Sequence, residues 1–229
     1  MISLLHTTAR PGICEATAKI WHDRADDPKN VEHVMTYEHR FFEVCPHSRF
    51  RKSLVSFSCG DSVVTGWNLA ASLAVKIGRS GVFVCVSDDL YPPEHWDTIF
   101  AEAIGDISKE AVLWVGNYCE TEKGRLQLHW DLICHPVLTK AYWQRYGYLF
   151  HPAYFARFSD MEFTEVALRD GVVIDSRRQI SFNHQDHHGP QYVREETSAR
   201  INDMHEVDEK VFLARKAAGF PREWDEWAA

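Results

Sequence analysis

The sequence predicts an α/β fold in which a mixed sheet is flanked by helices, followed by a smaller C-terminal region. Strand and helix patterns alternate over roughly the first 117 residues, which is typical of right-handed strand–helix–strand crossovers. The run VFVCV, at residues 82–86, contains only apolar residues, as central strands covered on both faces do. Polar and acidic residues directly follow several predicted strands, and that is where open α/β sheets bind their ligands.

Five segments of the first half have the composition of strands, with apolar and β-branched residues in short runs. Each run ends in a polar or glycine-containing loop, as strands commonly do. The first run, ISLLH, leads into the polar loop TTARPG. In chain order, the predicted strands are residues 2–6, 31–38, 52–58, 82–87 and 111–117.

Three helices are predicted between these strands. Ala18, Trp21 and Ala25 recur at helical spacing in the first, and the second closes on Gly78, as helix C-termini often do. The third begins with two prolines, which the first turn of a helix tolerates because its N–H groups have no helical partner. The predicted helices are residues 14–25, 67–78 and 92–105.

The second half mixes both patterns. RLQLHWDLI alternates Leu126, Leu128, Trp130 and Leu132, which predicts a strand with one buried face. Ser159 followed three residues later by a glutamate predicts a capping box at a helix start. Helices are predicted over residues 136–147 and 159–171, an extended segment over 172–184, and an amphipathic stretch over 207–220.

Net charge, cysteine spacing and the length of apolar runs limit the classes of protein to which the chain can belong. A formal net charge of −8 over 229 residues argues against a surface that binds nucleic acid everywhere, but leaves room for a local basic groove. The six cysteines form no CxxC pair, so we expect reduced thiols. We find no leader and no apolar run long enough to span a bilayer, and therefore expect a cytoplasmic monomer or small oligomer.

Two adjacent carboxylates, Asp88 and Asp89, follow the central strand. Like charges at such short range repel each other, and a divalent cation such as Mg²⁺ or Mn²⁺ reverses the sign of that interaction. The alternative is a turn in which Asp89 caps the next helix. Phosphate-binding motifs of the GxGxxG and GxxxxGK[ST] types are absent, which argues against a nicotinamide enzyme or a P-loop nucleotide hydrolase.

Two further sets of residues are candidates for metal binding or proton transfer. FNHQDHHGP places His184, His187 and His188 within five residues, and imidazoles bind Mn²⁺ or Zn²⁺, although a polar surface loop is an equal alternative. Asp160 lies in the first turn of a predicted helix, where the helix dipole favours a carboxylate able to accept a proton. A carboxylate that merely benefits from the dipole is the simpler alternative.

Five segments occur in the order HTTARP, GWNLAASLAVKIG, VFVCVSDDLYPPEHWD, CHPVLTKAYWQRYGYLFHPAYFARFSDMEF and SFNH. This order resembles the family-2-like glycosyltransferases of the GT-A fold over about residues 2–190. In that family a Thr- and Arg-containing loop follows the first strand, and the central strand ends in an acidic metal motif. A later acidic helix start carries the usual base. The resemblance implies a GT-A-like, Rossmann-type mixed sheet with a C-terminal acceptor-side region.

The resemblance also implies a nucleoside-diphosphate sugar as donor, Mn²⁺ or Mg²⁺ as cofactor, and a role for each matching residue. It implies one base, Asp160, and two metal ligands, Asp89 and His184. It implies six nucleotide-binding residues: Thr7, Thr8, Arg10, Glu38, Asn68 and Asp88. Residues 1–117 would bind the nucleotide sugar, residues 118–190 would form the acceptor and catalytic half, and residues 191–229 a helical extension.

The sequence departs from the family pattern at two positions. The acidic motif appears as Ser87-Asp88-Asp89, so its first acid is missing. The acidic pair at the base position appears as Ser159-Asp160 and keeps only its second acid. We therefore expect Asp89 to be the better metal ligand. We also expect the nucleotide sugar to supply much of the metal coordination.

The sequence is compatible with several kinds of acceptor. Short enzymes of this resemblance occur in phages, some with hydroxymethylpyrimidines in DNA as acceptors, which would place the protein in the host cytoplasm. HSRFRK, with basic residues around Phe50, is a candidate nucleic-acid patch, although a solvated loop is the simpler interpretation. A glycan, a small molecule or a protein hydroxyl are alternatives. The basic residues concerned are Arg49, Arg51, Lys52, Arg177, Arg178, Arg194 and Arg200.

Three other functions compete with this interpretation. A nucleotidyltransferase uses a similar sheet but usually carries a glycine-rich, basic first loop, and TTARPG has one Arg and one Gly. A metal hydrolase built on HQDHH would leave TTARP and Asn68 unexplained. A non-catalytic DNA-binding or structural protein would explain neither the net charge of −8 nor the acids at strand ends.

Overall fold

The computed structural model describes residues 1–8, 10–38, 53–58, 62–77, 80–121, 124–185 and 199–222. Its strands are β1 Ile2–Thr8, β2 Val31–Glu38, β3 Ser53–Ser58, β4 Val82–Val86, β5 Leu90–Tyr91, β6 Val112–Trp114, β7 Gly116–Thr121, β8 Gly124–Leu128, β9 Val137–Thr139, β10 Val173–Asp175 and β11 Ser181–His184. Its helices are α1 Pro11–Asp23, α2 Val63–Ile77, α3 Trp96–Ile104, α4 Lys140–Tyr146, α5 Ser159–Arg169 and α6 His205–Ala217, with a 3₁₀ turn at Pro28–Asn30.

Seven strands form the main sheet in the order β10-β6-β9-β4-β1-β2-β3. All neighbouring pairs are parallel except those of β9, which runs antiparallel to both β4 and β6. The sheet is therefore mixed, as the sequence predicts. β1 and β4 lie at its centre, and every residue of β4 is buried, which confirms the prediction of a central strand over VFVCV.

A second, four-stranded sheet has the order β5-β11-β7-β8. β11 pairs in parallel with β7 and antiparallel with the two-residue strand β5, which follows β4 directly in the chain. This small sheet therefore brings the late strand β11 beside the end of the central strand. β8 is an edge strand whose first four residues are exposed.

Apolar side chains cover both faces of the main sheet. One cluster packs α2, α4, α5 and α6 against residues such as Leu5, Phe83 and Val112. The other packs Trp21 of α1 and Trp96 of α3 against the opposite face. Within the described residues, no helix is long and apolar enough to cross a membrane.

Several predicted elements differ from the structure. α3 begins at Trp96 with His95 as its N-cap, so Pro92 and Pro93 precede the helix and do not form its first turn. The predicted strand 111–117 is two strands, β6 and β7, in different sheets, and the start of the predicted helix 136–147 is strand β9. Apolar runs of three residues do not distinguish strand from helix, and pairing with β4 and β6 decides the outcome for β9.

The predicted one-sided burial of RLQLHWDLI is wrong. Leu126 is 56% exposed and Trp130 is 39% exposed, because β8 pairs only with β7 at the sheet edge. The four cysteines that the structure describes, Cys14, Cys85, Cys119 and Cys134, form no disulfide. The expected reduced state of the protein stays a prediction.

Candidate functional site

The candidate site begins at the C-terminal ends of β1 and β4. The two strands are parallel neighbours with His6 opposite Val86, so the residues that follow them meet at one edge of the sheet. Thr8 and Arg10 arrive from β1, and Asp88 arrives from β4. The resemblance groups the same three residues as nucleotide-binding, and the parallel pairing of β1 and β4 explains why they meet.

Asp88 is buried and is held by three side chains. Its Oδ1 lies 2.9 Å from Nε2 of His6, and its Oδ2 accepts hydrogen bonds from Thr8 Oγ1 at 2.8 Å and Arg10 Nε at 2.9 Å. Its backbone oxygen accepts a further hydrogen bond from Thr17 Oγ1 at 2.5 Å. Asp88 thus fixes the loop after β1 and the start of α1 in one arrangement.

The hydrogen-bond network around Asp88 continues through His6 to His33 of β2. His6 Nδ1 lies 3.1 Å from His33 Nε2, and the two rings stack with centroids 5.2 Å apart. Burial, reinforced by the neighbouring His6 and His22, holds the pKa of His33 well below its usual range, so His33 is neutral. Neutral imidazoles can hydrogen-bond in series without placing a charge in the core.

Ligand atoms of His6, Cys14 and Asp88 lie within 4.8 Å of one another and are all buried. Arg10 donates to Asp88, however, and its positive charge opposes a cation at that position. The geometry therefore favours a neutralised structural cluster at Asp88.

Asp89 has a more open environment, with its side chain 17% exposed. Its Oδ1 accepts a hydrogen bond from Ser87 Oγ at 2.7 Å and lies 3.5 Å from Nε2 of His184, while Arg10 Nη2 lies 3.4 Å from its Oδ2. Burial alone would raise the pKa of Asp89, but the contacts with His184, Ser87 and Arg10 outweigh it and hold the pKa below its usual range. Asp89 is therefore a stable anion.

The small sheet explains why His184 lies beside Asp89. In the antiparallel pair of β11 and β5, His184 is opposite Leu90, the residue that follows Asp89. The backbone N–H of Gln185 also donates to the backbone oxygen of Asp89 at 2.8 Å. A carboxylate oxygen and an imidazole nitrogen 3.5 Å apart suit two adjacent positions around Mn²⁺ or Mg²⁺, which are about 3 Å apart in octahedral coordination.

A second histidine, His135, completes this end of the site and is absent from the sequence predictions. Its ring packs edge-on against His184 with centroids 5.0 Å apart, and its Nε2 lies 3.4 Å from Ser87 Oγ. Burial, together with His184, lowers the pKa of His135 to about 3, so it is neutral at physiological pH. His135 reaches this position because β9, which follows it in the chain, runs antiparallel to β4. The sequence predicted a helix from residue 136 and therefore gave no sign of this strand.

Asp160 lies in the first turn of α5, as predicted. The backbone N–H of Met161 donates to its Oδ1 at 2.9 Å, and the Cys134 thiol also donates to its carboxylate. Burial nevertheless dominates and raises the pKa of Asp160 above its usual value, while burial and the carboxylate of Asp160 raise the pKa of the Cys134 thiol. Asp160 is therefore a stronger base than an exposed aspartate.

Cys134 and His135 are consecutive residues, and they link the two ends of the site. Cys134 contacts Asp160, and His135 contacts Ser87 and His184. The preceding residue, Ile133, donates its N–H to Thr164 Oγ1 at 2.9 Å. This segment thus positions the helix start relative to the end of β4.

The capping box predicted at Ser159 and Glu162 is wrong. The N-cap of α5 is Phe158, and no side chain caps the helix. Glu162 instead forms a buried bidentate ion pair with Arg215 of α6, at 2.6 and 2.7 Å, and accepts a hydrogen bond from Tyr154 Oη at 2.7 Å. A partner 53 residues away in the chain outcompetes the local cap.

Asn68 and Thr7 have packing contacts in this structure. The Asn68 amide donates to the backbone oxygen of Phe150 at 2.7 Å and accepts from the N–H groups of Leu149 and Phe150 at 2.8 and 3.1 Å. Thr7 packs against α2 where Gly66 lacks a side chain, since a Cβ there would lie 2.0 Å from Thr7 Oγ1. Their predicted contacts with a nucleotide remain predictions.

Some predicted residues fall beyond what the structure describes. Glu38 ends β2 beside Ser58 of β3, but only its backbone is described. The stretches outside the described ranges include residues 39–52 and 186–198. They contain Arg49, Phe50, Arg51, Lys52, His187, His188 and Arg194.

Solved structures of S. aureus TarS resemble this chain. TarS 1-349 superposes with a TM-score of 0.61 at 15% sequence identity, covering 81% of this chain and 60% of that one. TarS 1-349 in complex with UDP-GlcNAc gives a TM-score of 0.60 at 15% identity, covering 82% and 59%, respectively. The chain has a GT-A-like fold.

The comparison with TarS supports no more than the fold, because identity is so low. The chain spans about 60% of TarS 1-349 and 39% of the longer TarS structure, which it matches with a TM-score of 0.61 at 14% identity. No family model and no curated protein matches the sequence. The predicted GT-A-like mixed sheet is thus confirmed.

Proposed function

We propose that the protein transfers a sugar from a nucleoside-diphosphate sugar to an acceptor hydroxyl, with Mn²⁺ or Mg²⁺ as cofactor. The observation that carries this proposal is the arrangement at the end of β4. There the anionic Asp89 lies 3.5 Å from His184, while a carboxylate of raised pKa, Asp160, is joined to the same site through Cys134 and His135. One end is suited to a metal diphosphate, and the other to proton transfer.

The fold supports a nucleotide ligand at this edge. Open α/β sheets bind ligands beyond the carboxyl ends of their strands, and the GT-A-like TarS has been solved with UDP and with UDP-GlcNAc. Thr8 and Arg10 are held at this edge by Asp88. In the proposed complex, Thr7, Thr8, Arg10 and Glu38 line the nucleotide, with Asp88 holding the loop.

In the proposed reaction, Asp89 and His184 would hold the cation, which would supply Lewis-acid neutralisation of the leaving diphosphate. Asp160 accepts the proton of the acceptor hydroxyl as its oxygen bonds to the anomeric carbon and the bond to the diphosphate oxygen breaks. Attack from the opposite face inverts the anomeric centre. The raised pKa of Asp160 suits this role, because a stronger base accepts the proton more readily.

The acceptor in this proposal is a hydroxyl of a glycan or small molecule. The alternative acceptor, hydroxymethylpyrimidine in phage DNA, rests on the resemblance and on HSRFRK, whose residues the structure does not describe. The GT family assignment and a phage origin likewise rest on the resemblance alone.

Thermal unfolding in the presence of UDP, GDP, CDP or ADP, each with and without Mn²⁺, tests the proposal. At a hundredfold excess over Kd, one nucleotide should add about 2.7 kcal/mol to the stability, or about 5–10 °C, only when Mn²⁺ is present. Asp89→Asn should abolish this shift, whereas Asp23→Asn, which removes an exposed carboxylate of α1, should not. If no nucleotide gives a Mn²⁺-dependent shift, the proposal is wrong.

A further inference from the structure

Trp130 is an exposed aromatic residue in the segment that also carries His129 and Cys134, both of which act on the proposed base Asp160. It follows the edge strand β8, and 39% of its surface is exposed. Exposed large aromatics at the rim of a site commonly serve in binding, because burying one on a ligand gains much apolar contact at little entropic cost. Nothing in the proposed nucleotide and metal chemistry uses this side chain.

The indole of Trp130 rests on a fixed support. The guanidinium of Arg177 packs 4.8 Å from the Trp130 ring and 3.9 Å from the ring of Trp114, and it donates to the backbone oxygen of Trp130 at 2.5 Å. Trp114 Nε1 in turn donates to the backbone oxygen of Leu132 at 3.1 Å. The ring is thus held in place although it is exposed, which lowers the entropic cost of binding a ligand.

Two residues of the segment that carries Trp130 act on Asp160. His129, the residue before Trp130, has a left-handed backbone with φ of 42° and lies close enough to influence the carboxylate of Asp160 electrostatically. Four residues after Trp130, Cys134 donates to that same carboxylate. A molecule resting on Trp130 would therefore present its groups near the proposed base.

The charges near Trp130 favour a neutral ligand. Arg177 is paired with Asp175 through two hydrogen bonds, Nε to Oδ1 at 2.9 Å and Nη2 to Oδ2 at 2.6 Å. Its charge is therefore neutralised, and the next residue after Trp130 is the exposed carboxylate Asp131. A nucleic-acid backbone needs cations along its path, whereas a sugar ring needs an apolar face and neutral hydrogen-bond partners.

We propose that Trp130, supported by Arg177 and Trp114, is the acceptor platform, on which the C–H face of a pyranose ring of the acceptor packs. This proposal rests on the proposed function and names its acceptor class as a pyranose-containing glycan. Trp130 is a specificity-determining residue in this scheme, and Asp160 remains the base.

Saturation-transfer NMR with methyl β-D-glucopyranoside, methyl β-D-galactopyranoside and methyl N-acetyl-β-D-glucosaminide tests the platform without turnover. At least one should bind the wild-type protein. Trp130→Ala should weaken that binding at least tenfold, and Trp130→Phe by less than threefold. Leu126→Ala, at a more exposed residue of β8, should leave it unchanged.

Equal binding by wild type and Trp130→Ala, or binding of none of the three pyranosides, would overturn the platform. So would tighter Trp130-dependent binding of a thymidine dinucleotide, which would indicate base stacking. The same Trp130→Ala protein should keep the Mn²⁺-dependent nucleotide shift of wild type. If the wild-type protein shows no Mn²⁺-dependent nucleotide shift, the proposed function is wrong. If pyranosides bind but do not depend on Trp130, only the platform is wrong.

Discussion

The end of β4 and the start of α5 both present carboxylates near Cys134 and His135, but they hold them in opposite electrostatic states. At the end of β4, the contacts with His184, Ser87 and Arg10 outweigh burial and keep the pKa of Asp89 low. At the start of α5, burial outweighs the hydrogen bonds from Met161 and Cys134 and raises the pKa of Asp160. The same residue type is held as an anion in one region and has a raised pKa in the other.

The chemistry of each carboxylate depends on how its burial is offset by hydrogen bonds and charged partners. Asp88 and Asp89 are adjacent, yet Asp88 is fully engaged by His6, Thr8 and Arg10, while Asp89 stays partly exposed. In our proposal, Asp88 therefore organises the site and Asp89 binds the cation. Three predictions test this distinction.

The largest effect is expected from Asp160→Asn. Removing the proposed base should lower kcat for sugar transfer by about 10²–10⁴-fold, because an amide cannot accept the acceptor proton. The Mn²⁺-dependent nucleotide shift should be unchanged, since Asp160 lies at the other end of the site. Product formation followed by NMR measures the rate and also shows whether the anomeric centre inverts.

Glu165→Gln is the matched control for this experiment, because it neutralises an exposed carboxylate of the same helix that pairs with Lys216. It should transfer sugar at the wild-type rate. Transfer by Asp160→Asn at that rate would remove Asp160 from the role of base.

A smaller effect on catalysis but a clear effect on stability is expected from Asp88→Asn. It leaves Arg10 and His6 without their buried anion and should cost about 3 kcal/mol of unfolding free energy. Asp89→Asn should cost less than Asp88→Asn, because the charged partners of Asp89 lie 3.4 and 3.5 Å away, farther than those of Asp88. Urea unfolding of both variants measures the two costs, and equal costs would contradict the division of roles.

The smallest effect concerns Cys134 and the pH dependence of transfer. A base must be deprotonated, so the rate should fall as the pH falls through the pKa of Asp160. The Cys134 thiol favours the charged carboxylate, so Cys134→Ala should raise that pKa and move the acid side of the profile upward by roughly half to one pH unit. Cys134→Ser keeps a donor and should show the wild-type profile, and a Cys134→Ala profile that matches wild type would exclude the thiol from this role.

Much of the fold follows from local pattern. Alternating strand and helix segments predict the parallel core, and the all-apolar run VFVCV predicts its central strand, which β4 confirms. The predictions fail where pairing partners decide. Val137–Thr139 has only three residues, too few for its sequence pattern to identify it as a strand. Leu126 alternates with polar residues as in a half-buried strand, but its side chain is exposed.

The local sequence places acids after the central strand and another acid at the start of a later helix, because strand ends and helix starts are local features. Only the tertiary structure decided the partners: Arg10 and His6 with Asp88, His184 with Asp89, Cys134 with Asp160, and Arg215 with Glu162. These partners come from distant parts of the chain. The meeting of His184 with Asp89 depends on the small second sheet, and the position of Cys134 depends on the antiparallel β9; no local pattern encodes the register of either.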